Sequence, residues 1–175
     1  AFHGGAGAVT GANFLLTIGP ETSENTSRPL RLLVDCGLFQ GGKVFEEENR
    51  EPFPYDPATI DYLFVTHAHL DHVGRIPSLV HAGFRGTIYS TPPTKEIAAL
   101  ILEDSLGVME KEGRGSDKSP LYQPADITAA LARWRTLEYR QPFNLENSAV
   151  TVTLHDAGHI LGSTMFEFTR RDRRL

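Results

Sequence analysis

One cysteine in 175 residues, Cys36, leaves no internal disulfide to form, and no apolar run approaches the roughly 20 residues that a membrane-spanning helix needs. The N-terminus carries neither the basic cluster nor the apolar stretch of a secretory signal. These absences set aside disulfide-stapled and membrane-inserted classes and point to a reducing, cytoplasmic compartment. Surplus positive charge is also missing: 17 Lys and Arg stand against 22 Asp and Glu, a formal net charge of −5. That balance argues against a broad electrostatic footprint for nucleic acid, while leaving room for a substrate gripped locally through metal ions and a few side chains. The closing run 170–175 holds four arginines and reads as a solvated strand end or loop.

What remains is an ordinary globular composition, 40% hydrophobic and 22% charged, in a chain long enough to bury a core as one domain or as part of a larger one. Aliphatic and β-branched runs predict strands over 13–18, 30–35, 62–66, 86–89, 150–154 and 164–168. The polar connection 19–29 suits a long antiparallel hairpin between the first two. Thr91 before Pro92 is placed to cap a helix whose positions Ile97, Leu100, Ile101 and Val108 recur at helical spacing and should pack on the sheet. After a loop over 113–124, the spacing of Ile127, Ala130, Leu131 and Trp134 predicts a second helix. A shorter helix is predicted from Asp71 through Leu79, with Pro77 in its first turns. Strands at both ends with helices between them give a mixed α/β, layered domain, not a regular βαβ array.

Within this pattern, VTHAHLDHVGRI (65–76) sets three histidines and an aspartate in six positions after an apolar run. His67 and His69, two apart on an extended strand end, can direct both rings to one side, as two ligands of one metal must. Asp71 and His72 follow where the chain turns into a helix, and adjacent residues there diverge by about 100°, so this pair can face a second position nearby. Imidazole and carboxylate suit zinc, with manganese or iron as other candidates. Far downstream, AGHILGS (157–163) places His159 between glycines in a loop, where backbone can approach a ligand closely. With His67 and His69 it would complete three histidines that leave one position open, as a catalytic zinc requires.

The run His67-Ala-His69-Leu-Asp71-His72 resembles the His-x-His-x-Asp-His signature of the metallo-β-lactamase superfamily. The stretches FHGGAGAVTGANFLL, LLVDCGLFQGG, ILEDSLGVMEKE and HDAGHILGSTMFEF look like its β-CASP branch, nucleases that include ribonuclease J, and the likeness spans nearly the whole chain. The resemblance implies an αββα sandwich, with His67, His69 and His159 on one zinc and Asp71 and His72 on another. It implies that Asp35, ending its strand, orients the histidine-bearing loop by hydrogen bonds; the residues alone also allow a simple strand-end cap. Two such ions suit hydrolysis of RNA phosphodiester bonds by activated water, and Asp71 is the candidate to orient that water or accept its proton. The family pattern continues to a bridging aspartate, a β-CASP cap and a further histidine. None of these is in 1–175, so the chain is expected to be the N-terminal part of the domain, associating with the missing C-terminal part or a second copy.

Other readings stay open at this level. The signature alone also serves hydrolases of small esters, thioesters or lactams, and a non-catalytic assembly module could retain it. His155 is expected to be structural or to support a ligand and not to be one itself, and His3 and His81 to face solvent or pack. Trp134, Phe143 and Tyr122 are expected in the core. Asp104 interrupts an apolar helix face, so as a buried carboxylate it should cap a neighbouring loop or face a cleft.

Overall fold

Strand side chains alternate between two faces, and in β3 (Leu30–Val34) and β4 (Tyr62–Phe64) both faces carry fully buried residues: Leu32 and Phe64 on one, Leu33 and Leu63 on the other. Such strands must be covered twice, and they are. The computed structural model describes residues 1–5, 9–19, 28–42, 47–114, 119–146, 148–171 and 173–175. A six-stranded sheet runs in the order β1 (Phe2–Gly4), β2 (Asn13–Ile18), β3, β4, β5 (Thr87–Ser90), β6 (Trp134–Thr136), antiparallel from β1 to β3 and parallel from β3 to β6. A second, antiparallel sheet is ordered β10 (Arg173–Arg174), β9 (Thr164–Arg170), β8 (Thr151–Asp156), β7 (Phe143–Asn144).

Helices α1 (Leu70–Val73), α2 (Ile76–His81), α3 (Pro92–Gly113) and α4 (Pro124–Ala132) line one face of the first sheet. There Leu33, Leu63, Val65 and Ile88 meet Ile76, Leu79, Ala98, Leu102 and Ile127. Its other face packs on the second sheet through Leu32, Phe64, Tyr89, Val152, Leu154 and Phe168, and the Phe64 ring meets Phe166 and Phe168 edge-on at 5.1 and 5.0 Å. The architecture is mixed α/β with helix, sheet and sheet layers, the N-terminal half of an αββα sandwich; among the described residues no helix covers the outer face of the second sheet.

Several expectations hold and others change for identifiable reasons. β2 and β3 form the antiparallel pair expected, and the connection 20–27 lies outside the described residues. The helix expected from Asp71 through Leu79 is two helices, broken at Gly74 and Arg75 because Pro77 is tolerated only in the first turn of the second. The helix expected to reach Trp134 stops at Ala132. Trp134 opens β6 instead, pairing with Ile88 and donating its indole N–H to Ser90 Oγ at 2.8 Å, so it is core by a different route. Tyr122 is core as expected, whereas Phe143 is only half-buried on an edge strand.

On α3 the packed stripe is Thr94, Ala98, Leu102 and Leu106, and Ile97 and Ile101 lie half-buried against the core as expected, whereas Leu100 and Val108 are exposed. Two stripes share this helix, and the sheet takes the one with small residues near its start, which permits closer approach. Asp104 is consequently exposed and not buried, so the loop cap expected from sequence does not form, although its side chain lines an open groove with Leu70, Leu100, Ile101, Ser105 and Val108.

The metal-motif turn is braced by backbone. Cys36 N–H donates to His72 O, Leu38 N–H to Leu70 O and Ala12 N–H to Asp71 O, all between 2.8 and 3.0 Å. Gly37 makes this approach possible: a Cβ there would overlap the Asp71 carbonyl. Gly37→Ala is therefore expected to cost at least about 3 kcal/mol, or about 6 to 12 °C in Tm. Gly107→Ala, inside α3 with open space around it, should be neutral or stabilising. Calorimetry on the two variants checks this, and equal melting temperatures would contradict it.

Candidate metal centre

Three loops meet where β3 and β4 end. After Phe64 the chain continues one step, Val65 N–H donating to Tyr89 O at 2.8 Å, and then leaves the sheet through 66–69 into α1. β3 runs directly into Asp35, 1% exposed and held at φ 60°, a backbone conformation uncommon for any residue but glycine. The third loop, 157–163, joins β8 to β9 in the other sheet.

His67, His69 and His159 each offer a ring nitrogen, and these atoms all lie within 4.8 Å of one another. His69 Nδ1 stands 3.1 Å from His67 Nε2 and 3.2 Å from His159 Nε2. One ring nitrogen has a single in-plane position and cannot satisfy two others by hydrogen bonding. A tetrahedral ion holding nitrogen at 2.0–2.1 Å would separate its ligands by about 3.3 Å, which the two distances to His69 match. His67 is 8% exposed, and burial, followed by the charges of His72, His69 and His159 and partly offset by Asp71, pushes its pKa down to about 4. It is thus neutral at physiological pH, with a lone pair free to ligate.

Asp35 accepts from Thr66 N–H at Oδ1 (2.8 Å), while its Oδ2 lies 2.8 Å from both Thr66 Oγ1 and His72 Nδ1. Thr66 Oγ1, having donated to the carboxylate, can accept from His67 Nδ1 at 2.9 Å. One carboxylate therefore fixes the tautomer of His72 directly and of His67 through a hydroxyl, leaving Nε2 of each free. Burial opposes charging His72, but its hydrogen bond to Asp35 and the charges of Asp35 and Asp71 outweigh it and raise the pKa.

Asp71 and His72 stand beside the three-histidine cluster and not in it. His72 Nε2 is 3.6 Å from Asp71 Oδ2, and the His72 ring is 4.0 Å from that of His67. These two atoms form a separate donor pair next to the first group.

His159 is exposed, and its ring meets those of His67 and His69 at 4.8 and 4.9 Å. Its position comes from backbone: Ser163 Oγ accepts from the N–H groups of His159 (3.0 Å) and Ile160 (3.2 Å), and Tyr139 OH donates to Ser163 O at 2.9 Å. The loop is also tied to the motif segment, Thr164 N–H donating to Thr66 O at 2.8 Å.

All six residues singled out by sequence thus gather here. His155 lies elsewhere on β8, its Nε2 3.3 Å from Glu167 Oε2; His81 is exposed beside Asp126, and His3 is half-buried against the Tyr55 ring. Thr66, Ser163 and Tyr139 were not among the sequence candidates. Thr66 could have been found as the residue flanking the motif; nothing in the sequence connects Tyr139 to Ser163.

A family model described as a metallo-beta-lactamase superfamily domain matches residues 26–175. The chain is 39% identical over 160 residues to Ribonuclease TTHA0252 of Thermus thermophilus, covering 91% of this chain and 32% of the relative. It is 37% identical over 143 residues to Transcription termination factor FttA of Methanosarcina mazei, covering 79% of this chain and 21% of that one. It therefore spans about a third or less of these relatives' length. Among solved structures, a metallo-beta-lactamase of Cronobacter sakazakii with a mutated HARLDQ motif superposes with a TM-score of 0.55 at 22% identity, over 93% of this chain and 54% of that one, a likeness of fold alone.

Proposed function

Because this chain belongs to the metallo-beta-lactamase superfamily, we propose that the intact protein is a metal-dependent ribonuclease of the β-CASP branch, hydrolysing RNA phosphodiester bonds. The observation that carries this reading is the convergence of three histidine nitrogens with the Asp71 and His72 pair beside them. His67, His69 and His159 hold one ion, and Asp71 and His72 contribute to a second. Zinc suits the imidazole donors best, with manganese as the other candidate. Such ions, when bound, stabilise charge on phosphate oxygens and make water nucleophilic at neutral pH.

The chain's own residues supply the rest. Asp35 holds the His72 and, through Thr66, the His67 ring in the tautomer that leaves Nε2 unprotonated. Asp71 directs the attacking water or takes its proton. RNA as the substrate is supported by the ribonuclease and termination-factor relatives at 37–39% identity, whereas the resemblance to lactamases is one of fold. The reading carries with it an intracellular site of action and further chain, from this protein or a second copy, completing the sandwich.

The test uses the intact protein and labelled single-stranded RNA, with a chromogenic β-lactam and a thioester in parallel. RNA cleavage that a chelator abolishes and zinc restores is expected. Cleavage of the lactam or thioester without RNA would overturn the proposal.

A further inference from the structure

Thr91 occupies the N-cap position of α3 but makes no side-chain capping bond to that helix. Its hydroxyl, on a residue only 1% exposed, instead donates across the fold to Gly162 O at 2.6 Å, 71 residues away. Thr94, fully buried one turn on, donates to the same oxygen at 2.9 Å. Two hydroxyls thus fill the two lone pairs of one carbonyl. The fit depends on the missing side chain of Gly162, which has φ +84° and whose Cβ would come within 2.8 Å of Thr91 Oγ1, Thr94 N and Thr94 Oγ1. The close approach these loop glycines allow is, at Gly162, to a pair of threonines.

Gly162 is followed by Ser163, whose Oγ holds the amide of His159. The His159 side chain is exposed, so the position of its ring follows from the position of this backbone. We infer that Thr91 and Thr94 are positioning residues for the metal: by clamping Gly162 they set where His159 stands relative to His67 and His69. The inference rests on the metal-binding reading above. A helix end that forgoes its own cap for a bond to the loop bearing a distant ligand is what distinguishes the clamp from ordinary core packing.

The experiment measures zinc affinity by competition with a chromophoric chelator, together with the difference in Tm between zinc-loaded and metal-free protein, on the intact protein. For Thr91→Val combined with Thr94→Val, the zinc dissociation constant is expected to rise about 10- to 100-fold, and the zinc-induced rise in Tm to shrink. Thr94→Ser, which keeps the hydroxyl, should retain both. Thr94→Val and Gly162→Ala strain the same link singly and should move affinity in the same direction, which keeps the test available if the double variant does not fold. A lower Tm for the metal-free protein with unchanged zinc affinity would overturn the inference, leaving the threonines as packing. His159→Ala separates the two levels: if it leaves zinc affinity unchanged, the metal reading itself fails; if it weakens zinc while the threonine variants do not, only the clamp fails.

Discussion

His159→Ala is expected to lower RNA cleavage by at least about a thousandfold, with loss of bound metal measured by elemental analysis of the same preparation. Its Nε2 is one of three nitrogens converging within 4.8 Å, and the remaining two, on His67 and His69, come from a single short segment. Two imidazoles hold a divalent ion far more weakly than three, and the open position needed for water has meaning only when the other ligands are fixed. Because the ring is exposed and its neighbours on the loop are held by backbone bonds, its removal should barely disturb the core. His155→Ala, four residues earlier beside Glu167, serves as the control and should retain near-normal cleavage. Equal losses in the two variants would indicate that the loop, and not the imidazole, matters.

The contrast between His155 and His159 also indicates what could be read before any coordinates. The cluster at 67–72 was legible because ligand spacing is local: a strand end turning into a helix dictates which rings can share a centre. His159 was legible from its flanking glycines, Gly158 and Gly162. The layered α/β class followed from the order of apolar runs. Trp134 was misread because the spacing i, i+3, i+4, i+7 continues across a helix end, and only the empty edge of β5 makes its segment a strand. Leu100 and Leu102 could not be told apart, since an apolar helix with two stripes does not announce which one the sheet will cover. Thr91 and Thr94 were invisible as partners of Gly162 because the bond spans about 70 residues and involves a backbone oxygen.

Asp35→Asn should reduce cleavage by about 10²- to 10⁴-fold, although the two side chains have almost the same shape. The carboxylate accepts every hydrogen bond it makes, including from His72 Nδ1 and from Thr66 Oγ1. An asparagine that keeps its oxygen on Thr66 N–H must direct its amide N–H groups at the other two partners. His72 Nδ1 then accepts, which moves the ring proton to Nε2, the atom 3.6 Å from Asp71 Oδ2 that a second metal would need bare. Thr66 Oγ1 is likewise turned from donor to acceptor and can no longer favour Nδ1–H on His67. The variant should fold, bind the second ion poorly and lose activity. Two-dimensional NMR of the imidazole nitrogens reports the tautomers directly, and an unchanged His72 tautomer in an inactive variant would rule out this explanation.

His69 and His159 lie 90 residues apart in the chain and on loops that leave different sheets. Joined through a shared ion, they would act on the unfolded chain as a cross-link does, closing a long loop and removing entropy on the order of 4 to 5 kcal/mol. A chain with a single, buried cysteine has no disulfide to offer in that role. The seam between its two sheets would then be fastened at the candidate metal centre itself, so that the hold of one layer on the other would depend on the free metal in its surroundings.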